Sequence, residues 1–497
     1  MLLETFAMKA LLYMTLAFMV ILVLMVVVVF VMYIYDVTQT KHTIRRNYPV
    51  VGRFRYIFEH MGEFFRQYFF AMDREELPFN RAQRSWVYRA AKDVNRTIAF
   101  GSTRDITKDG AIIFLNSAFP TLTEDAMVCN PLVIGPNCVT PYQANSFFNI
   151  SGMSFGALSK PAIQALSHGA ARANCWLNTG EGGLSSFHLE GGCDLVMQIG
   201  TAKYGVRDEA GNLCDKQLRE KAAHEQVRMF EIKLSQGAKP GKGGILPAEK
   251  VTSEIAKIRG IKVGEASISP NGHKDIRNVS DLLDMINHIR SVTGKPVGFK
   301  AVLGETSWLD ELFDCIKTRG VDSAPDFITI DSADGGTGAA PQPLMDYMGL
   351  AIKETLPWLV SHLQGHGLRD RIRVIVSGKM ITPSKVAWAL CMGADFVVSA
   401  RGFMFALGCI QALQCNQNTC PTGITTHNPK LQRGLVSSLK SNRVANYHKL
   451  VEYDVGMIAH SCGVSDPRKL QQKHVRIVDK GTPAVTSQVF THEEIGA

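Results

Sequence analysis

Three cysteines, Cys409, Cys415 and Cys420, stand within twelve residues of the stretch "ALGCIQALQCNQNTCPTG", and a proline follows the third. Thiolates are soft ligands that suit iron–sulfur clusters. Zinc fits less well, because it normally takes a fourth ligand and no C-x2-C pair accompanies these three. Taken alone, neighbouring cysteines are more often structural thiols than metal ligands. A second set of residues points to an anion. "DGGTGA" offers Gly335, Gly336 and Thr337; "SGK" offers Ser377, Gly378 and Lys379; "SARG" offers Arg401 and Gly402. Glycine lets a backbone approach a ligand closely and aim its amides at it. Turns of this kind hold phosphates, and tight turns with no ligand are the alternative.

Such residues act together only if a scaffold brings their loops to one face. From about residue 147, short β-rich runs alternate with helical stretches such as "SDLLDMINHIRSVTG" and "TPSKVAWALCMGA". The runs are "FFNISGMS", "CWLNTG", "LVMQIG", "FEIKLSQG", "ASISP", "PVGFKAVLG", "DFITIDSA", "RIRVIVSGK" and "ADFVVSA". This alternation predicts an α/β fold with a parallel sheet. A (β/α)8 TIM barrel uses eight strands, so one of the nine is a connecting strand. A doubly wound open sheet is the alternative, but no G-x-G-x-x-G joins the first strand to its helix. In a barrel the chemistry gathers at the C-terminal strand ends, and a phosphate often sits at the last loops, which here are the glycine turns.

The chain has 497 residues, 46% hydrophobic and 20% charged, enough to bury large cores. From Ala10 to Tyr35 no residue is charged, and about 20 apolar residues suffice to cross a bilayer as a helix. The run is too long for the core of a signal peptide, and bulky residues follow it. The expectation is an N-terminal transmembrane helix over 1–36, a juxtamembrane and approach segment over 37–146, a barrel over 147–470 and a tail over 471–497. Within the approach segment "GEFFRQYFF" has helical spacing and could lie on the membrane surface or cap the barrel. Lys41, Arg45, Arg46, Arg53 and Arg55 follow the span, while only Lys9 precedes it. The positive-inside rule then gives a single-pass protein of the inner (cytoplasmic) membrane with its catalytic domain in the cytoplasm. Eleven irregularly spaced cysteines fit a reducing compartment. The net charge of +9 is explained by the membrane flank, and no basic-aromatic clustering marks a nucleic-acid binder.

The region from about 149 to 465 resembles the FMN-binding synthase domain of glutamate synthases. The stretches that carry the resemblance are "GMSFGALS", "NTGEGG", "EIKLSQGAKPGKGG", "SPNGHKDI", "DGGTGAAP", "SGK" and "GCIQALQCNQNTCPTGITT". The whole chain is most similar to a membrane-anchored, single-domain branch of that family. The resemblance implies an FMN barrel and a [3Fe-4S] cluster on Cys409, Cys415 and Cys420, which reproduce the family spacing C-x5-C-x4-C. It implies reduction of an imino acid, formed from a 2-oxo acid such as 2-oxoglutarate and ammonia, to an amino acid such as L-glutamate. Lys239 and Arg259 align with the family's basic substrate ligands, and Gln236 with a polar substrate contact. Glu181 matches an acidic residue near flavin and substrate, a candidate for proton transfer. Met153 and Ser154 are expected beneath or beside the flavin ring. His273 and Asp275, in "NGHKD", could be polar pocket residues, or the histidine could serve structure alone.

The sequence departs from the family in three places. A membrane segment stands where a glutaminase domain would begin, so a separate glutaminase would have to supply ammonia. There is no nicotinamide-binding domain, so electrons would come from ferredoxin or a separate reductase subunit. The family's "GGQLPG" reads "GGILPA", placing Ile245 where a glutamine helps hold the oxo acid. Two rival readings follow: a related FMN-barrel enzyme acting on N-substituted glutamate, and a non-catalytic electron-transfer subunit at the membrane.

Overall fold

The structure is a computed structural model that describes residues 2–479 except Arg96 and Val128, so most of the expected tail lies outside the described residues. The chain divides into two compact units between Ala82 and Gln83.

The first unit opens with helix α1 (Leu2–Thr38). Within its segment Thr5–Thr38 the most apolar 18-residue window has a mean hydropathy of 3.2 and buries none of its residues, so the helix is long and apolar enough to cross a membrane. Near its end Asp36 is fully buried. Arg53 grips it with two hydrogen bonds of 2.8 Å from Nε and Nη2, and Val50 N donates to it at 3.0 Å. Arg53 belongs to helix α2 (Gly52–Phe65), so the pair fixes how α2 leaves α1. The helical stretch "GEFFRQYFF" is the end of α2 and a wider turn over Arg66–Phe70.

The second unit is built on eight parallel strands: β1 (Phe148–Ile150), β2 (Leu177–Asn178), β3 (Leu195–Ile199), β4 (Val227–Lys233), β5 (Val297–Val302), β6 (Phe327–Asp331), β7 (Arg373–Ser377) and β8 (Phe396–Ser399). They pair in chain order and close, β8 onto β1, as the expected TIM barrel. The ninth run, "ASISP", is the connecting strand. Its Ser267–Ile268 pairs antiparallel with Ile245–Leu246 in a two-stranded sheet outside the barrel, with the helix Ser253–Arg259 between the two in the chain. The helices used below are α3 (Lys160–Ala173), α4 (Ser253–Arg259), α5 (Arg401–Leu407) and α6 (Ser437–Ser461). Gly169 allows α3 and α6 to approach closely, since a Cβ there would stand 2.5 Å from Val444. The approach segment and the tail meet: Ile112–Phe114 pairs antiparallel with Val475–Ile477.

Side chains alternate across each strand, so every second residue enters the barrel. At the N-terminal end these are apolar. Trp176, Val196, Met229, Phe327, Ile375, Phe396 and Val398 form one core cluster with Ile134, Tyr142 and Ala144 of the hairpin Leu132–Ile134/Tyr142–Ala144, which stoppers the barrel from below. One layer higher the inward residues turn polar: Asn178, Gln198, Glu231, Lys300 and Thr329 are all buried. The ladder places Gln198 beside Glu231, and Lys300 beside Lys233 and Thr329. Above them the strands end.

Candidate active site

Two adjoining hollows open at the C-terminal strand ends. The larger holds about 160 Å³ and the smaller about 70 Å³, and Gly152, Gln198, Lys233, Gln236, Gly336 and Arg401 line both. Met153, Ser154, Glu181, Gln236, Lys239, Arg259, Gly336, Thr337, Arg401 and Cys415, singled out on sequence grounds, line the larger. Ser377, Gly378 and Lys379 line the smaller. Gly335 packs behind the mouth against Gly237, and Gly402 lies within α5 facing the Tyr447 hydroxyl. Gly378 has φ +116°, and a Cβ there would stand 2.8 Å from Ser332 N, so the turn requires glycine. This glycine turn, with Lys379, Arg401 and the Gly336 backbone, can hold the phosphate of a cofactor.

The larger hollow is strongly cationic. Lys233, Lys239, Lys250, Arg259 and Arg401 line it against one carboxylate, Glu181. Lys233 holds Glu181 at 2.9 Å. Burial pushes the Glu181 carboxyl up, but Lys233 and Lys239 outweigh it, so its pKa falls below the ordinary value and it stands ionised. Burial lowers Lys239 to about 8, with Glu181 pulling the other way. Arg259, last residue of α4 and buried, donates to Ser267 Oγ at 3.0 Å and lies over the Tyr204 ring at 5.1 Å. Its Nε has no hydrogen-bond partner among the described residues. Gln236 accepts from Lys233 and donates to Thr337 Oγ1 at 3.1 Å.

His273 does not line either hollow. Its Nε2 meets the Lys233 carbonyl at 3.0 Å, and burial lowers its pKa, which keeps it neutral. It props the backbone from which Lys233 reaches inward. Asp275 pairs with Lys203 at 2.8 Å.

Of the three loop cysteines, Cys415 lines the larger hollow, with Asn416 beside it. Arg401 Nη1 lies 3.7 Å from Cys415 Sγ, and its other amino group donates to the Thr337 carbonyl, so one side chain joins the glycine turn to the loop. Lys250, 1% exposed, donates to the carbonyls of Cys415 at 3.2 Å and Ala157 at 2.8 Å. Gln411 N donates to Cys409 Sγ at 3.5 Å and Tyr88 Oη to the Cys409 carbonyl at 2.6 Å. Burial pushes the Cys409 thiol up to about 11, with Arg401 opposing. Burial also pushes Cys420 up, but bonds from Thr422 and Thr425 outweigh it and leave it below its ordinary value. Among the described residues no three such side chains stand close enough to hold a metal ion. The donor set of three thiols beside two cations suits an anionic cluster in chemistry, although the thiols do not converge.

Sequence reasoning missed Lys233, Lys250, Lys300, Gln198 and Glu231. For four of them a signal existed. "FEIKL" places charges at alternate positions of an otherwise apolar strand, "GFKAV" places one lysine in another, and "LVMQIG" carries a glutamine near its end. A polar residue on the inward face of a barrel strand is costly to bury unless it has work there.

A comparison with known proteins decides the family. The family profile described as "Conserved region in glutamate synthase" matches residues 117–465, which includes all eight strands and the cysteine loop. The chain belongs to the glutamate synthase family. Within it, the glutamate synthase large subunit-like protein YerD of Bacillus subtilis (strain 168) is 39% identical over 483 residues, covering 89% of this chain and 91% of that protein. The archaeal-type glutamate synthase (NADPH) of Thermotoga sp. (strain RQ2) is 32% identical over 317 residues, covering 63% of this chain and 59% of that protein. The match thus spans about three fifths of the archaeal-type relatives. Among solved structures, an active chimera of (S)-mandelate dehydrogenase superposes with a TM-score of 0.48 at 13% identity, over 74% of this chain and 88% of that one. As a glutamate synthase family member the chain is an enzyme, a glutamate synthase-like oxidoreductase.

Proposed function

We propose that the chain is a membrane-tethered, FMN-dependent oxidoreductase. It would reduce the imino acid formed from ammonia and a 2-oxo acid resembling 2-oxoglutarate, giving an amino acid such as L-glutamate. One observation carries the reading: a hollow at the barrel mouth where five cations face one carboxylate, beside a glycine turn fit for phosphate. Such a charge excess calls for an anionic ligand, because buried unpaired charges are costly.

FMN, when bound, supplies a hydride acceptor and donor that exchanges electrons singly or in pairs. Ser377, Gly378, Lys379 and Arg401 would hold its phosphate. Arg259 binds one substrate carboxylate and Lys239 the other, arginine by its planar fork and lysine as a point charge. Condensation of ammonia with the keto group expels water, and the imine nitrogen then carries protons that the Glu181 carboxylate accepts in hydrogen bonds. Glu181, ionised, can receive a proton, while Lys239 Nζ, lowered to about 8, keeps the charge that anchors the carboxylate only below that pH. A [3Fe-4S] cluster on Cys409, Cys415 and Cys420 would supply one-electron transfer, and holding it would require the three thiols to turn toward one another; electrons would come from ferredoxin or a separate reductase subunit, and a separate glutaminase could supply the ammonia. The span over α1 would hold the protein in the inner membrane with the barrel in the cytoplasm.

A second reading has its own observation. Ile245 lines the larger hollow with Leu246, Pro247 and Leu158, an apolar wall that would suit an N-substituted glutamate.

The test uses the full chain in detergent. Its extract should yield FMN, and chemically reduced protein should be reoxidised by ammonia plus a 2-oxo acid with formation of the amino acid. If none of a panel of 2-oxo acids, with ammonia or an alkylamine, reoxidises the flavin, the reading is wrong. Cys415→Ser should remove a broad cluster absorbance while FMN stays bound; an unaltered spectrum would exclude the cluster.

A further inference from the structure

Beneath the two hollows, lining neither, lies a carboxylate that the proposed chemistry does not use. Glu231 enters the barrel from β4 and is buried. Three neutral donors hold it. Asn178 Nδ2 at 2.8 Å and Gln198 Nε2 at 2.7 Å share one oxygen, and Thr329 Oγ1 at 2.6 Å bonds the other. Both amides present their NH2 groups to that oxygen, which accepts from each. That decides where their carbonyl ends point. Asn178 Oδ1 accepts from Gly180 N at 2.9 Å. Gln198 Oε1 has no hydrogen-bond partner among the described residues, and Gln198 lines both hollows. Lys233 and Lys300, which can only donate, line the smaller hollow with it. Asp331 lines it too, but its carboxylate is taken by Lys300 at 3.1 Å and Gly237 N at 3.0 Å; beside the hydroxyls of Ser151, Ser377 and Ser399, the Gln198 oxygen is the amide acceptor fixed in orientation near the cations. An imide has the complementary pattern: one N–H donor between two carbonyl acceptors.

We propose that Glu231 is a positioning residue that locks the Gln198 amide with its carbonyl oxygen toward the hollow, where it accepts from the imide N–H of a flavin ring. The proposal rests on the FMN reading above and adds to it the residue that sets the polarity of the floor. Replacing Glu231 with glutamine removes the constraint. The new side-chain NH2 can donate to Gln198 Oε1, the Gln198 amide turns over, and a donor then faces the imide N–H.

The test compares full-length wild type, Glu231→Gln, Gln198→Met and the double variant, all loaded with FMN. Two quantities are read: the FMN dissociation constant from flavin fluorescence, and the pH at which the bound imide ionises, from its absorbance change. An acceptor favours the protonated imide, so each single variant should ionise at lower pH than wild type and bind FMN about tenfold more weakly. Both changes delete the same bond, so the double variant should bind no more weakly than the weaker single variant. Glu231→Gln also removes a carboxylate, which can itself lower the ionisation pH, so the discriminating results are an imide ionisation unchanged in Gln198→Met or an effect of Glu231→Gln that multiplies with that of Gln198→Met; either overturns the proposal. Should Glu231→Gln not fold, Gln198→Met decides alone, since an unchanged ionisation there is equally fatal. A wild type that takes up no FMN sinks the functional reading and this proposal together. A wild type that binds FMN with indifferent variants sinks the proposal alone.

Discussion

Arg259→Met separates a substrate ligand from a structural strut, because the two roles predict opposite signs. Arg259 is buried, its one well-formed hydrogen bond is to Ser267 Oγ at 3.0 Å, its Nε is unpartnered among the described residues, and it lies over the Tyr204 ring. Methionine would lose that bond, about 1 kcal/mol, and the ring contact, about 1 kcal/mol. It would also remove a buried charge with no carboxylate in contact, whose desolvation costs several kcal/mol. The balance lies near zero or favours the variant, and Ser267 keeps its bond to the Tyr204 hydroxyl at 2.8 Å. Thermal unfolding of the ligand-free protein should therefore shift by less than about 2 °C, or upward. Catalysis should behave differently. A lost charge-assisted bond to a substrate carboxylate is worth about 1.5–3 kcal/mol, or roughly 10- to 150-fold in KM for the 2-oxo acid. Steady-state kinetics with a reduced artificial donor measures this. A melting temperature lowered by more than about 5 °C with KM unchanged would show that Arg259 holds the fold and that the charge argument is wrong.

Other perturbations test the remaining parts. Lys239 falls from the ordinary lysine value to about 8 on folding, so its charge weakens the fold below that pH, and stability recovers between about 8 and 10.5 as the folded state loses its proton first. As a carboxylate anchor it must be protonated, so kcat/KM should decline as pH rises through about 8, and Lys239→Arg should move that decline upward. Lys250, also near 8 and lining the same hollow, is the control: Lys250→Arg should leave the decline in place. Ile245→Gln restores an amide to the apolar wall and should lower KM for 2-oxoglutarate about tenfold relative to N-substituted glutamates; equal effects on both would remove Ile245 from substrate choice. Gly378→Ala forces a left-handed backbone onto alanine and crowds Ser332, at a cost of about 1–3 kcal/mol. FMN should bind roughly 5- to 150-fold more weakly by fluorescence titration.

Much of this architecture can be read from the sequence because its signals are local. A strand that ends in Gly-rich turns is visible within ten residues, and eight of them in alternation with helices imply closure. The extra strand "ASISP" is as β-like as the others in composition. Only partner choice distinguishes it, since Ile268 pairs with Ile245 in a two-stranded sheet rather than with a barrel neighbour. Glu181, Lys239 and Arg259 are legible through motifs alone: nothing in "KIRG" shows that α4 will aim its final arginine inward. Lys250 and Gln198 were missed for the same reason in a stronger form. Lys250 matters through Ala157 and Cys415, which lie 93 and 165 residues away in the chain. Gln198 matters through the bond its amide makes to Glu231 on the next strand. His273 shows the converse, since a motif histidine at a strand end serves the backbone of Lys233 and leaves the hollow to others.

The hairpin that stoppers the barrel also governs traffic. With Ile134, Tyr142 and Ala144 filling the lower opening, substrate and product share the upper doorway, and Cys415 stands on its threshold. A protein donor that settled squarely over the cysteine loop would block the route by which its own electrons are spent. Reductive loading and substrate exchange must then alternate, or the donor must perch to one side.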